Sequence, residues 1–364
     1  MLLVVEQFLN GLQFGLLLFL LAAGLTLVFG IMDLVNLAHG SLYMLGAYFA
    51  ATFAAWTGSF VLGAVIALAA TLMVGMAVEV IAMRRLYGRD HLDHVLGTFG
   101  LILFFNELVR LVWGPQGLSL PLPPWLSTPV HILPGVTYSA YRLAIIVVTL
   151  AVAGGLYFVV MRTRIGMLIR AGASNREMVG ALGVNIKLLY TLVFGLGAAL
   201  AGLAGLMQAP ILTVQIGMGE NILILAFVII VIGGIGSIRG AFLAAIFVGM
   251  IDTLGRAFLP DLLRKVLSSA AASTAAPALS SMMIYLLMAI VLVLRPKGLF
   301  PALLMASNTP SSLSPPFCAC SMSGTSIALH TGWPVPARSL RLASRGSSRS
   351  SISSGTPSSA MSPT

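Results

Sequence analysis

Up to Pro301 the chain is a succession of apolar runs of about 20 residues, each long enough to carry a helix across a bilayer core of about 30 Å at about 1.5 Å per residue. Nine runs lie near 8–30, 39–57, 60–82, 95–113, 142–161, 188–209, 221–234, 241–259 and 278–294. Charged residues make up only 8% of the 364 and hydrophobic ones 59%. A soluble domain carries about 25% charged residues, so there is too little charge here to coat a surface in water. The expected fold is all-α: a polytopic helical membrane protein with about 8–9 transmembrane helices, because helices satisfy their own backbone groups in lipid. A soluble enzyme, a nucleic-acid-binding module and a disordered scaffold are excluded for this part. The net charge of +10 implies no nucleic-acid partner, since the basic residues are spread between the apolar runs. The run at 221–234 is short and reads as tilted, broken or re-entrant.

Composition changes near Pro301, which sets a membrane domain at 1–302 against a tail at 303–364. The tail holds 18 Ser, 7 Pro and four Arg, with no Asp or Glu. Such a stretch buries too little apolar surface to offset its ordering entropy and reads as a disordered C-terminal tail. Its basic charge also suits an anionic lipid surface, and its contrast with everything upstream suits an out-of-frame extension. Cys318 and Cys320 both lie in it, so no disulfide holds the membrane part, and one Cys-x-Cys pair does not make a metal site.

Loop charge sets the orientation. No Lys or Arg precedes Arg84, so the first run lacks the basic flank of a cleaved signal and reads as a span with the N-terminus outside. Nine spans then place 83–94, 162–187, 235–240 and 295–297 in the cytoplasm, with the C-terminus. Those loops hold eleven Lys and Arg against five outside, at Arg110, Arg142, Arg256, Arg264 and Lys265, as the positive-inside rule requires. The Pro-rich stretch 114–135 falls outside, with Trp113 and Trp125 as interfacial anchors.

A P-loop needs Gly-Lys-Ser/Thr, and the three lysines, Lys187, Lys265 and Lys297, follow no glycine. Nor is there a Gly-x-Ser-x-Gly elbow or a His-Glu-x-x-His, so nothing supports an enzyme. Three segments stand out instead. Asp33, Asn36 and His39 recur every three residues beside Gly40. They read either as a lining for a solute path or as inter-helix hydrogen bonds that fix packing. The segment 162–187 is the most charged loop. A short helix ending near Gly183 would present Arg170, Arg176 and Glu177 to the cytoplasm, as a docking element or as a solvated topology signal. Gly233, Gly234, Gly236 and Gly240 allow a tight reversal, a hinge or close packing. Glu107 and Arg110 at i, i+3 and Asp252 and Arg256 at i, i+4 can pair on their own helices, which makes both structural. Glu79 has Arg84 nearby and reads as interfacial. Gly11, Gly15, Gly202 and Gly205 mark close helix contacts.

The run Phe29-Gly30 to Asn36-Leu-Ala-His39-Gly40, continuing to Met44-Leu-Gly46-Ala-Tyr48, resembles the hallmark of inner-membrane permeases of branched-chain amino-acid ABC transporters, the LivH type. Gly233-Gly-Ile-Gly236-Ser-Ile-Arg-Gly240 and the closing Arg295-Pro-Lys-Gly298-Leu-Phe300 are similar to motifs of the same family. The resemblance covers about residues 5–301, and urea and amide permeases look alike. It implies an importer subunit with no cofactor of its own and with ATP used by partner subunits. The implied partners are a second homologous permease, two ATP-binding subunits, a periplasmic solute-binding protein and the lipid bilayer. It places Asn36, His39 and Gly40 near the translocation path and Arg170, Glu177 and Gly183 in coupling to the ATPase. ABC permeases carry a Glu-Ala-Ala-x-x-x-Gly coupling pattern. Glu177 and Gly183 match its acid and glycine, Met178 and Val179 replace its alanines, and the downstream Ile-x-Leu-Pro is absent. The family chain stops soon after the Arg-Pro-x-Gly-Leu-Phe motif, which strengthens the out-of-frame reading of the tail. The rival readings are a stand-alone secondary transporter or channel and a membrane anchor for other subunits.

Overall fold

The structure, a computed structural model, describes residues 2–32, 34–133, 136–265, 268–295 and 298–299. Asp33, Lys297 and the whole stretch 303–364, with Cys318 and Cys320, lie outside the described residues.

All nine apolar runs form helices. The first three are α1 (Leu2–Met32), α2 (His39–Thr57) and α3 (Phe60–Val78), and α3 runs through a π-helical turn (Glu79–Met83) into the short α4 (Arg84–Leu86). After α5 (His91–Trp113) come α6 (Pro124–Ser127), β1 (Pro129–Leu133) and β2 (Val136–Ser139). Then follow α7 (Ala140–Arg162), α8 (Arg164–Ser174), α9 (Arg176–Ala181), α10 (Ile186–Gln208), α11 (Met218–Gly233), α12 (Ile238–Leu263) and α13 (Ser269–Leu294). The two strands form an antiparallel hairpin, Pro129 opposite Ser139 and Val130 opposite Tyr138, with a bulge between His131 and Leu133. Sequence reading left this hairpin within a Pro-rich loop.

Among the described residues, seven helices are long and apolar enough to cross a membrane: α1, α3 with its extension, α5, α7, α10, α12 and α13. The two other expected spans differ for physical reasons. Helix α11 has only 16 residues. Helix α2 has 19 but carries His39, Ser41, Tyr43 and Tyr48, and it is buried from His39 to Ala51 except at Phe49. Protein rather than lipid surrounds it, so it needs no apolar exterior.

Burial sorts the bundle into layers. The most apolar stretch of α1 is 83% buried and that of α10 67%, against 17% for α13. Helices α1, α2 and α10 therefore form the inner layer. Helix α1 packs on α12 and α10, and α2 lies between α3 and α10. Lipid tails are as apolar as side chains, so helix association in a membrane depends on close van der Waals fit. Small residues supply it. Gly11 and Gly15 face Met250 and Ala245 of α12, and a Cβ on Gly15 would lie 2.7 Å from the Ala245 carbonyl oxygen. Gly46 and Gly205 press on α10 and α2 backbone respectively, and Gly40 of α2 meets Gly219 of α11 in the first turn of each helix. A side chain at either of that pair would overlap the opposite backbone, so only glycine permits the approach.

Candidate functional site

A cavity opens at the end of α10 farthest from residues 162–187. Its volume is about 610 Å³, within the usual range of about 300–1,000 Å³ for small-molecule sites. Five helices contribute: Phe14 from α1, Tyr43 from α2, Gln208 from α10, Asn221 from α11, and Asp252 and Arg256 from α12. The side chain of Asp252 is 7% exposed, and Arg256 Nε donates to both its carboxylate oxygens at 2.9 and 3.0 Å. The pair expected from i, i+4 spacing thus exists, and it borders a cavity. Gln208 closes α10 and is buried, and its side-chain oxygen has no hydrogen-bond partner among the described residues.

Asn36, His39 and Gly40 do not line this cavity. They sit deeper, where the chain leaves α1 and starts α2, and all three are buried. Asn36 Oδ1 accepts from the Ala38 amide at 3.1 Å, an Asx turn that lets the chain reverse, while its Nδ2 has no partner among the described residues. His39 packs against Gly24, where a Cβ would lie 2.9 Å from its Nε2. Among the described residues neither ring nitrogen makes a hydrogen bond, although the Leu21 carbonyl lies near without hydrogen-bond geometry. These groups are packed core in this conformation, and Asn36 Nδ2 and both His39 ring nitrogens lack a partner among the described residues.

The 162–187 segment is built by three capping side chains. Thr163 accepts from the Gly166 amide to start α8, Asn175 from Met178 to start α9, and Asn185 from Leu188 to start α10. Helix α9 ends at Ala181, and Gly183 follows with φ +85°, a conformation that strongly favours glycine. Arg176, Glu177 and Gly183 are exposed. Arg170 is not presented as expected: it is half-buried and donates to the Val160 carbonyl near the end of α7, one of the carbonyls a helix end leaves unpaired. It also borders a second cavity of about 280 Å³ with Tyr157, Ser237 and Arg239. Arg239 stacks over the Tyr157 ring at 5.3 Å from its centroid. Gly233, Gly234, Gly236 and Gly240 form the adjacent reversal. Gly234 and Gly236 have φ of +102° and +79°. Gly233 packs on Gly240, and Ser237 caps α12 by accepting from the Gly240 amide.

Sequence reading missed two features. Met178 and Leu182, one turn apart on and just past α9, are 64% and 78% exposed. Their i, i+4 spacing beside Glu177 was the available signal. Glu79 is not interfacial but fully buried. Its carboxylate accepts from Arg84 Nε at 3.1 Å, Tyr87 Oη at 2.9 Å and Thr191 Oγ1 at 2.6 Å. The π-helical turn gave no signal in the sequence, and Thr191 is distant in the chain. Burial, then the Glu79 charge, pushes the Tyr87 phenol above its ordinary range, so it stays a neutral donor.

The family described as the permease component of the branched-chain amino acid transport system matches residues 7–292. The high-affinity branched-chain amino acid transport system permease protein BraD of Pseudomonas aeruginosa is 34% identical over 277 residues, 72% of this chain and 90% of that protein. LivH of Salmonella typhimurium, named for the same system, is 28% identical over 283 residues, 73% and 90% of the two chains. A probable LivH of Methanocaldococcus jannaschii is 25% identical over 253 residues, 65% of this chain and 76% of that one. No solved structure matches the chain. The match begins in α1, ends in α13 and takes in every long apolar helix between them, and the chain accordingly belongs to the permease components of branched-chain amino acid transport systems.

Proposed function

We propose that the chain is the membrane path of an ABC importer for branched-chain amino acids in the inner membrane. It works beside a second homologous permease, with two ATP-binding subunits at the cytoplasmic face and a solute-binding protein at the periplasmic face. The positive charge of the loops supports a periplasmic N-terminus and a cytoplasmic 162–187 segment. Residues 1–302 are the permease domain.

The observation that carries the coupling role is the apolar ridge of Met178 and Leu182, held out from the bundle beside Glu177. Apolar side chains exposed in water on a capped helix mark a docking surface. Glu177 supplies charge at the α9 N-terminus, Gly183 supplies the turn that ends the ridge, and Arg170 braces α8 against α7. Movement of the ridge reaches α10 through Asn185 and reaches Glu79 through Thr191. Asn36, His39 and Gly40 line the path when it opens: a buried polar atom without a partner, such as Asn36 Nδ2 or a His39 ring nitrogen, costs about 1–3 kcal/mol, and contact with water or solute in an open path relieves that cost. Gly233, Gly234, Gly236 and Gly240 form the pivot between α11 and α12.

The test is leucine uptake by the full complex in proteoliposomes with ATP. The double variant Met178→Asp/Leu182→Asp is expected to lower uptake and ATP hydrolysis at least tenfold, while the chain keeps its thermal stability because both side chains are exposed. Uptake at the parent rate would refute the docking role.

A further inference from the structure

We propose that the cavity bordered by Asp252, Arg256 and Gln208 binds one zwitterionic, apolar α-amino acid on its way through the chain. This rests on the permease reading, and it names a site within that path.

The wall has three kinds of chemistry, and each has a counterpart in such a solute. Asp252 is a nearly buried carboxylate on a helix whose apolar stretch is only 28% buried. A nearly buried ionised group on an apolar helix is costly and marks a function unless packing demands it. Arg256 satisfies it through Nε alone, and among the described residues neither Nη nitrogen has a partner. Those two nitrogens, with the Asn221 amide, can receive a carboxylate. Gln208 is 8% exposed and its oxygen is unpartnered. A buried acceptor left unmade costs about as much as a lost hydrogen bond, and an ammonium group is a donor of the right kind. Gln208 and the Asp252 carboxylate border the same cavity, and Asp252 supplies the counter-charge that an ammonium group needs. Phe14, Ile222 and Leu225 complete the wall with hydrocarbon. The formal charges of Asp252 and Arg256 cancel, so the cavity favours a solute that is itself neutral overall but charged at both ends, beside an apolar side chain.

The experiment uses the purified full chain in nanodiscs and measures equilibrium binding of leucine, isovalerate and isoamylamine. The last two keep the hydrocarbon and remove one charge each. Leucine is expected to bind at least about tenfold more tightly than either, since each charge-assisted contact contributes roughly a factor of ten or more. The reversed pair Asp252→Arg/Arg256→Asp keeps an i, i+4 ion pair and is expected to hold the helix but lose leucine binding at least about tenfold. Gln208→Leu leaves the ion pair intact and is expected to weaken leucine several-fold, which keeps the test open if the reversed pair does not fold. Equal binding of all three ligands, no binding, unchanged binding by either variant, or a co-purified phospholipid that leucine cannot displace would overturn the site. Uptake by the assembled complex separates this from the permease reading. Uptake through the reversed pair at the parent rate removes the site and leaves the permease. Leucine binding without uptake by the parent complex removes the permease and leaves the site.

Discussion

Glu79 is the buried acid at the centre of a polar cluster, and its effect on stability follows from the number of its contacts. Three donors reach one buried carboxylate, and Arg84 also donates to Thr191 at 2.7 Å. Removing one partner from such a set leaves the rest unsatisfied in low dielectric, which costs roughly 3–5 kcal/mol for a buried charge and about 1–3 kcal/mol for a buried neutral group. Glu79→Ala is expected to lower the thermal unfolding temperature in detergent strongly, and Thr191→Val to lower it by a smaller step; equal unfolding temperatures for both variants and the parent would contradict the network. Ion pairs within one helix were legible in the sequence, since spacing alone brings Glu107 to Arg110 at 2.8 Å and Asp252 to Arg256. The nearness of Glu79 to Arg84 was legible too, but its burial was not: Thr191 comes from another helix, and the π-helical turn that begins at Glu79 departs from the 3.6-residue period.

At the scale of the element, glycines divide by what they face. Gly46 of α2 has no room for a methyl group beside Gly202, whereas Gly155 of α7 faces open space. Gly155→Ala is expected to raise stability by about 0.5–1 kcal/mol through helix propensity, and Gly46→Ala to lower it by about 1–3 kcal/mol through overpacking. Opposite shifts in one thermal-unfolding series check both. The nine helices were legible because each apolar run is long and continuous. The burial of α2 was foreshadowed by its tyrosines and His39, which are too polar for lipid. The β1–β2 hairpin was hidden by the prolines around it, and the cavity by the fact that five separate helices supply its wall.

For the molecule as a whole, the family match ends at residue 292, before the Ser- and Pro-rich stretch. A chain cut after residue 302 is expected to assemble and take up leucine at the parent rate, as measured in proteoliposomes; a loss of uptake would give residues 303–364 a function. The inner position of α1 has a consequence for how the chain is made. Its glycine-lined face rests on α12, which the ribosome delivers only after every other helix but α13. At about 5–20 residues per second, Gly11 waits roughly 10–50 s for Gly249. Throughout that interval the Gly11-x-x-x-Gly15 face lies open in the bilayer, and small-x-x-x-small faces pair readily with one another. Two nascent chains made side by side can therefore join through α1 before α12 arrives. Synthesis rate and crowding at the insertion site, more than the stability of the finished bundle, then govern how much correctly folded protein a cell obtains.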